Sequence, residues 1–106
     1  MRPTDYCVII TTCPDRDSAG NLANLLVETR RAACVQLIPI ESIYRWQDKL
    51  CKEFEIALHI KSKAEHFDQI AATIKTHHPY AVPEIIQLPI TGGFPGYLDW
   101  IADCTS

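Results

Sequence analysis

The sequence is poor in the patterns that usually announce chemistry. None of its five cysteines, at positions 7, 13, 34, 51 and 104, forms a CxxC pair. The odd count and the missing pair exclude a disulfide framework and a zinc ribbon, so the thiols are expected to be reduced and mostly used as small buried hydrophobes. No glycine-rich phosphate loop, HExxH helix or GxSxG turn occurs, which removes the common nucleotide, metalloprotease and serine-hydrolase readings. There is no block of basic residues. Only Arg30 and Arg31 are adjacent, and the net charge is −3, so no nucleic-acid partner is expected. Apolar runs such as Cys7 to Ile10 fall far short of the roughly 20 residues of a spanning helix, so no membrane partner is expected either. The opening "MRPTDYCVII" has neither the basic start nor the long apolar stretch of a secretory signal, which points to a cytoplasmic location. Repeats, low-complexity tracts and linkers are missing too, and 106 residues fit a single domain over 1–106.

What is present is the alternation of a small folded domain, 47% hydrophobic and 22% charged. A core of this size gains from extra burial between subunits. "YCVIITTC" (Tyr6 to Cys13) is β-branched, ends at Pro14 and reads as a buried strand. In "PDRDSAGNLANLLVETRRAA", Asp15 is a helix cap, Leu22, Leu25, Leu26 and Thr29 form one stripe, and Arg30-Arg31 fall in the last turn. "CVQLIPIESIYRWQ" is a second strand, whose Pro39 calls for a bulge or an edge position. "DKL" offers a turn. Then Phe54, Ile56, Leu58 and Ile60 alternate with Glu55, Ala57, His59 and Lys61 in a third strand. Phe67, Ile70, Ala71 and Ile74 mark a second helix that Pro79 ends. "PEIIQLPI" is a fourth strand, and "PGYLDWIADC" a short closing helix with Leu98 and Ile101 inward.

The order β-α-β-β-α-β predicts an α+β fold, the ferredoxin-like sandwich. It has one antiparallel sheet in strand order 4-1-3-2, two helices on one face, and a short C-terminal helix. Lengths then conflict. Hairpin strands of about 13 residues span on the order of 43 Å, whereas helices of about 15 residues cover only about 23 Å. The overhang carries Ile43, Tyr44, Trp46, Leu50 and Phe54, and its outer strand leaves backbone groups unpaired. Either the hairpin curls onto its own core, or other copies of the chain cover it. The second solves both problems and predicts a homo-oligomer joined through the hairpin.

Metal ligation within one chain is limited by the spacing of the thiols and imidazoles. Cys7 and Cys13 share a strand face but stand about 20 Å apart, and Cys34 and Cys51 mark distant ends of the hairpin. A thiol site therefore needs a neighbouring subunit or a histidine. Adjacent His77 and His78 point about 100° apart on a helix and do not chelate one ion together. "HHPYAVPE" is first a connector, with an imidazole at a helix C-terminus and prolines fixing the path. A Cys34–His78 nucleophile–base pair would require a proximity that spacing does not supply, and no enzyme is expected.

The strings "TTCPD", "RAACVQLIP", "SIYRWQDK", "EIALHIKS", "HHPYAVPEIIQLPI" and "YLDWI", in this order and spacing, resemble the CutA family of divalent-cation tolerance proteins from about residue 7 to 101. The resemblance implies a ferredoxin-like fold related to the PII signalling proteins and a tight homotrimer. It also implies a role in tolerating divalent metals, copper above all, with no metal required for folding. Copper ligation in some bacterial members is attributed to three cysteines. One aligns with Cys34; the other two positions hold Thr11 and Thr73. The metal candidates are therefore Cys34, His78 and Cys13. Tyr44, Trp46, Lys61, Tyr80, Glu84 and Trp100 match the family's motifs and are expected to line a cleft between subunits, with His78 beside them. There Lys61 and Glu84 either pair with each other or grip a zwitterionic or anionic small molecule. A small organic ligand in that cleft is the alternative function, and a ligand-free interaction platform the third.

Overall fold

In the computed structural model, which describes residues 2–106, the first strand β1 (Tyr6–Cys13) follows a single 3-10 turn at Pro3–Asp5. Helix α1 (Arg16–Glu28) starts where predicted: the Asp15 carboxylate accepts from the Ser18 backbone N–H at 2.8 Å and from its hydroxyl at 2.9 Å. The backbone hydrogen bond from Ser18, then the hydroxyl, holds the Asp15 carboxyl below its ordinary range. A pKa lower in the folded chain contributes stability that is present above the unfolded carboxylate range and lost as pH falls through the depressed value. Asp15→Ala is thus expected to destabilise at neutral pH, and its deficit against the parent to shrink in acid. Urea unfolding of both proteins at several pH values checks this.

The buried stripe of α1 is Ala19, Leu22, Ala23 and Leu26, one turn earlier than the expected Leu22, Leu25, Leu26, Thr29. The helix stops sooner: Thr29 is its C-cap and Arg30 turns left-handed at φ 61°. Arg30 and Arg31 therefore lie beyond the last turn. Arg30 instead donates to the carbonyls of Asp103 (2.9 Å) and Ser106 (3.1 Å), anchoring the C-terminal segment.

Strands β2 (Cys34–Trp46) and β3 (Lys49–Lys63) pair in one unbroken register from Cys34↔Lys61 to Trp46↔Lys49. No bulge interrupts it at Pro39, because β2 is an edge strand and the missing N–H leaves no ladder bond unmade. The turn is Gln47-Asp48 rather than Asp48-Lys49-Leu50. Both residues are left-handed (φ 50° and 62°), the conformation a two-residue hairpin needs. After a 3-10 turn (Ala64–His66), helix α2 (Phe67–His77) buries Ile70 and Ile74. The last strand, β4 (Ile86–Pro89), is half as long as expected. Residues 78–85 form an irregular connector, and Pro83 and Pro89 cannot donate to a ladder.

The antiparallel order is β2-β3-β1-β4, the ferredoxin-like topology. Cys7, Ile9, Cys13, Leu58 and Ile60 face α1 and α2 and make the main core with Leu22, Leu26, Ile70 and Ile74. Thr11 shares that face. It is fully buried, and among the described residues its hydroxyl has no hydrogen-bond partner. An unsatisfied buried hydroxyl is costly, so Thr11→Val is expected to raise unfolding free energy by about 1 kcal/mol, read as a higher urea midpoint. On the opposite face α3 (Pro95–Cys104) packs Leu98 and Ile101 against Tyr6 and Ala33.

The predicted overhang is real. The molecule is 44 Å long, while α1, with 13 residues, covers about 20 Å. At the far end of the ribbon Phe54 is 80% exposed, Leu50 74% and Ile43 61%; Tyr44 and Trp46 are exposed as well.

Candidate functional site

The overhanging ribbon and the connector after α2 enclose a cleft of about 630 Å³ on the sheet face turned away from α1 and α2. Ser42, Tyr44 and Trp46 reach it from β2, Glu53 and Glu55 from β3, and Thr12 from the end of β1. The period-two alternation puts all of these on one face. The opposite wall is Tyr80, Ala81, Val82 and Glu84.

His78 shapes that wall. The Tyr80 N–H donates to its Nδ1 at 3.1 Å, which leaves Nε2–H to donate to the Thr12 carbonyl. The imidazole ties the end of α2 to the end of β1, and the Tyr80 ring rests 4.7 Å from it. Tyr80 in turn donates its hydroxyl to Glu55 Oε2 at 3.4 Å. Desolvation first, then Glu55 and Glu53, raises the Tyr80 phenol. Desolvation, followed by the hydrogen bond that its hydroxyl donates to Glu53, pushes Tyr44 up to about 12. Both phenols thus stay protonated donors at neutral pH.

Four of the six expected cleft residues (Tyr44, Trp46, Tyr80 and Glu84) line this one cleft. Lys61 and Trp100 do not. Lys61 lies 5.5 Å from the centre of the Tyr97 ring, and Tyr97 stacks on Trp100 at 5.5 Å, all beside α3. Six residues of β3 separate Lys61 from Glu55, about 20 Å. No Lys61–Glu84 pair forms within a chain; the salt bridge among the described residues joins Lys63 to Glu65 at 3.3 Å. Glu53, Glu55 and Thr12 are cleft residues that the sequence reading missed. The hairpin register would have found the two glutamates, because a two-residue turn at Gln47-Asp48 sets Glu53 opposite Ser42 and Glu55 opposite Ile40.

The three metal candidates do not converge within a chain. Cys34 pairs with Lys61 and shares its face, whereas Cys13 pairs with Ile56 in the core on the other face. Burial, then Asp15 and Glu55, raises the Cys13 thiol, which disfavours the thiolate a metal requires. His78 has both ring nitrogens engaged. Thr11 and Thr73 lie on the helix side, Thr73 donating to the Gln69 carbonyl at 3.0 Å. Among the described residues no three His, Cys, Asp or Glu side chains are placed to hold an ion. Nor can Cys34 use His78 as a base. The imidazole bonds Thr12, level with Ile38 on β2 through Ala57, and Ile38 is four residues, or about 13 Å, from Cys34.

Fold and site together define a ferredoxin-like domain with an overlong ribbon and a cleft of aromatics and carboxylates. Residues 7–104 match the family model described as CutA1 divalent ion tolerance protein. The divalent-cation tolerance protein CutA of Pectobacterium atrosepticum is 44% identical over 98 residues, 92% of this chain and 89% of that protein. That of Thermus thermophilus is 41% identical over 92% of this chain and 96% of its own length. The crystal structure of the stable protein CutA1 from Shewanella sp. SIB1 superposes with a TM-score of 0.92 at 43% identity, covering 99% of this chain and 98% of its own. The chain belongs to the CutA1 divalent ion tolerance family.

Proposed function

We propose that this protein works as a homotrimer in divalent-cation tolerance, with the ribbons of three copies covering one another's apolar sides, and that it handles copper or a related ion at positions shared between copies. The exposed ribbon carries this reading. Phe54, Leu50 and Ile43, together with the unpaired edge of β2, are surface that a second copy would bury. The donor set of one chain does not fit a resident metal, so an ion has to be met by side chains of several copies. Of the three candidates, Cys34 is partly exposed and stands outside the core. The reading is non-enzymatic. A signalling role like that of PII proteins is part of the same proposal and rests on the shared ferredoxin-like layout.

Titration with Cu(I), Cu(II) and Zn(II) tests it. Cys34→Ala is expected to abolish or sharply weaken copper binding, and His78→Ala to leave the stoichiometry unchanged in whatever protein remains folded. Copper binding unaffected by Cys34→Ala would reject the thiol site. A second reading, favoured by the 630 Å³ cleft, is a small organic ligand held there. Because ligands that bind only the folded form raise stability, a melting-temperature screen of metabolites tests it.

A further inference from the structure

We infer that the cleft between the ribbon and the 80–84 connector is a receptor for a small organic ammonium ion. This rests on the second reading above and names its ligand class. Glu53, Glu55 and Glu84 supply negative charge, and Tyr44, Trp46 and Tyr80 supply ring faces. Carboxylates and aromatic rings in one concave site are the chemistry that holds ammonium groups, through Coulomb attraction and cation–π contact.

Two observations separate this site from a mere cluster of acids. First, Glu55 is only 8% exposed, and the hydrogen bond that its Oε2 accepts from Tyr80 is long, at 3.4 Å. A nearly buried carboxylate is costly without a counter-charge, and among the described residues no cationic side chain lines the cleft. Lys49 shares this face at the turn, opposite Trp46, whereas Arg45 and Lys52 fall on the other face of the ribbon. Second, the charge is spread around a volume far larger than an ion, and the donors do not converge as metal ligands do. The wall therefore suits a cation several ångströms across with an apolar skin, and it repels the anionic ligand that a Lys61–Glu84 clamp would have taken.

The assembled, full-length protein should be titrated by calorimetry with tetramethylammonium chloride and with 1,4-diaminobutane dihydrochloride, against sodium chloride and tert-butanol as ionic and neutral controls. Saturable binding of at least one cation is expected, with shifts of the Trp46 indole N–H resonance and not that of Trp100. Comparing the two cations separates quaternary from primary ammonium. Glu84→Gln and Trp46→Leu should each weaken binding by about tenfold, while Lys61→Ala leaves it unchanged. Absence of saturable heat from both cations in an intact oligomer would overturn the assignment. So would affinity unchanged in both Glu84→Gln and Trp46→Leu, or shifts confined to Trp100. If an anionic or neutral metabolite raises the melting temperature and perturbs Trp46, the cleft remains a ligand site and only its charge preference fails.

Discussion

Replacing Phe54 and Leu50 together by aspartate is expected to turn the assembled protein into folded single chains. In one chain these side chains touch almost nothing, being 80% and 74% exposed, so their replacement removes no core contact. Their apolar surface lies where β2 and β3 outrun the helices. Fully burying a large aliphatic or aromatic side chain is worth about 1.5–3 kcal/mol, and each substitution acts at every copy of the contact. The added carboxylates would also have to be desolvated at the interface. The combined effect on trimer affinity should reach many orders of magnitude. Light scattering across a dilution series reads it as a loss of the high-mass species, while circular dichroism shows retained secondary structure. An oligomer that persists unchanged would place the interface elsewhere.

Ile60→Ala should act in the opposite way. Ile60 is fully buried near the C-terminal end of β3, flanked by Ile9 on β1 and Val35 on β2, beneath α1 and α2. Truncating such a side chain costs its transfer energy plus the cavity it leaves, about 2–5 kcal/mol. That is a large share of the roughly 5–15 kcal/mol that holds a typical domain together. The loss should appear in urea unfolding even in the Phe54→Asp/Leu50→Asp background, where assembly no longer contributes. The assembled parent should instead grow more stable as protein concentration rises, since an oligomer's stability is inseparable from it, and the single-chain ribbon variant should not. A small Ile60→Ala effect in that background would mean that the sandwich core is not what folds the chain.

Much of this architecture was legible because its signals are local. β-Branched residues ending at Pro14 marked β1, period-two alternation marked β3, Asp15 marked the start of α1, Pro79 the end of α2, and the mismatch of strand and helix lengths marked the overhang. The misplacements share a physical cause. Arg30 turns left-handed to reach the carbonyls of Asp103 and Ser106, contacts more than 70 positions away in sequence, and this closes α1 before its stripe is complete. Gln47-Asp48 forms a tight turn without glycine, so nothing in the composition fixed the hairpin register. That register decides which carboxylates face the cleft.

The candidate site was half legible. Tyr44, Trp46, Tyr80 and Glu84 meet because ribbon and connector converge at the same end of the sheet. Lys61 and Trp100 came with them in the motif reading, yet β3 carries Lys61 to the other end of the same face. Cys13 and His78 looked like ligands by residue type. One is a core thiol and the other a structural strut, a difference that only packing reveals.

Sedimentation equilibrium of the metal-free protein at micromolar concentration tests the central claim most directly, that the ribbon is too long for one chain to cover. Three times the 12.0 kDa of one chain, with no dissociation on dilution, is the predicted mass. A folded, soluble species of one chain mass would contradict it.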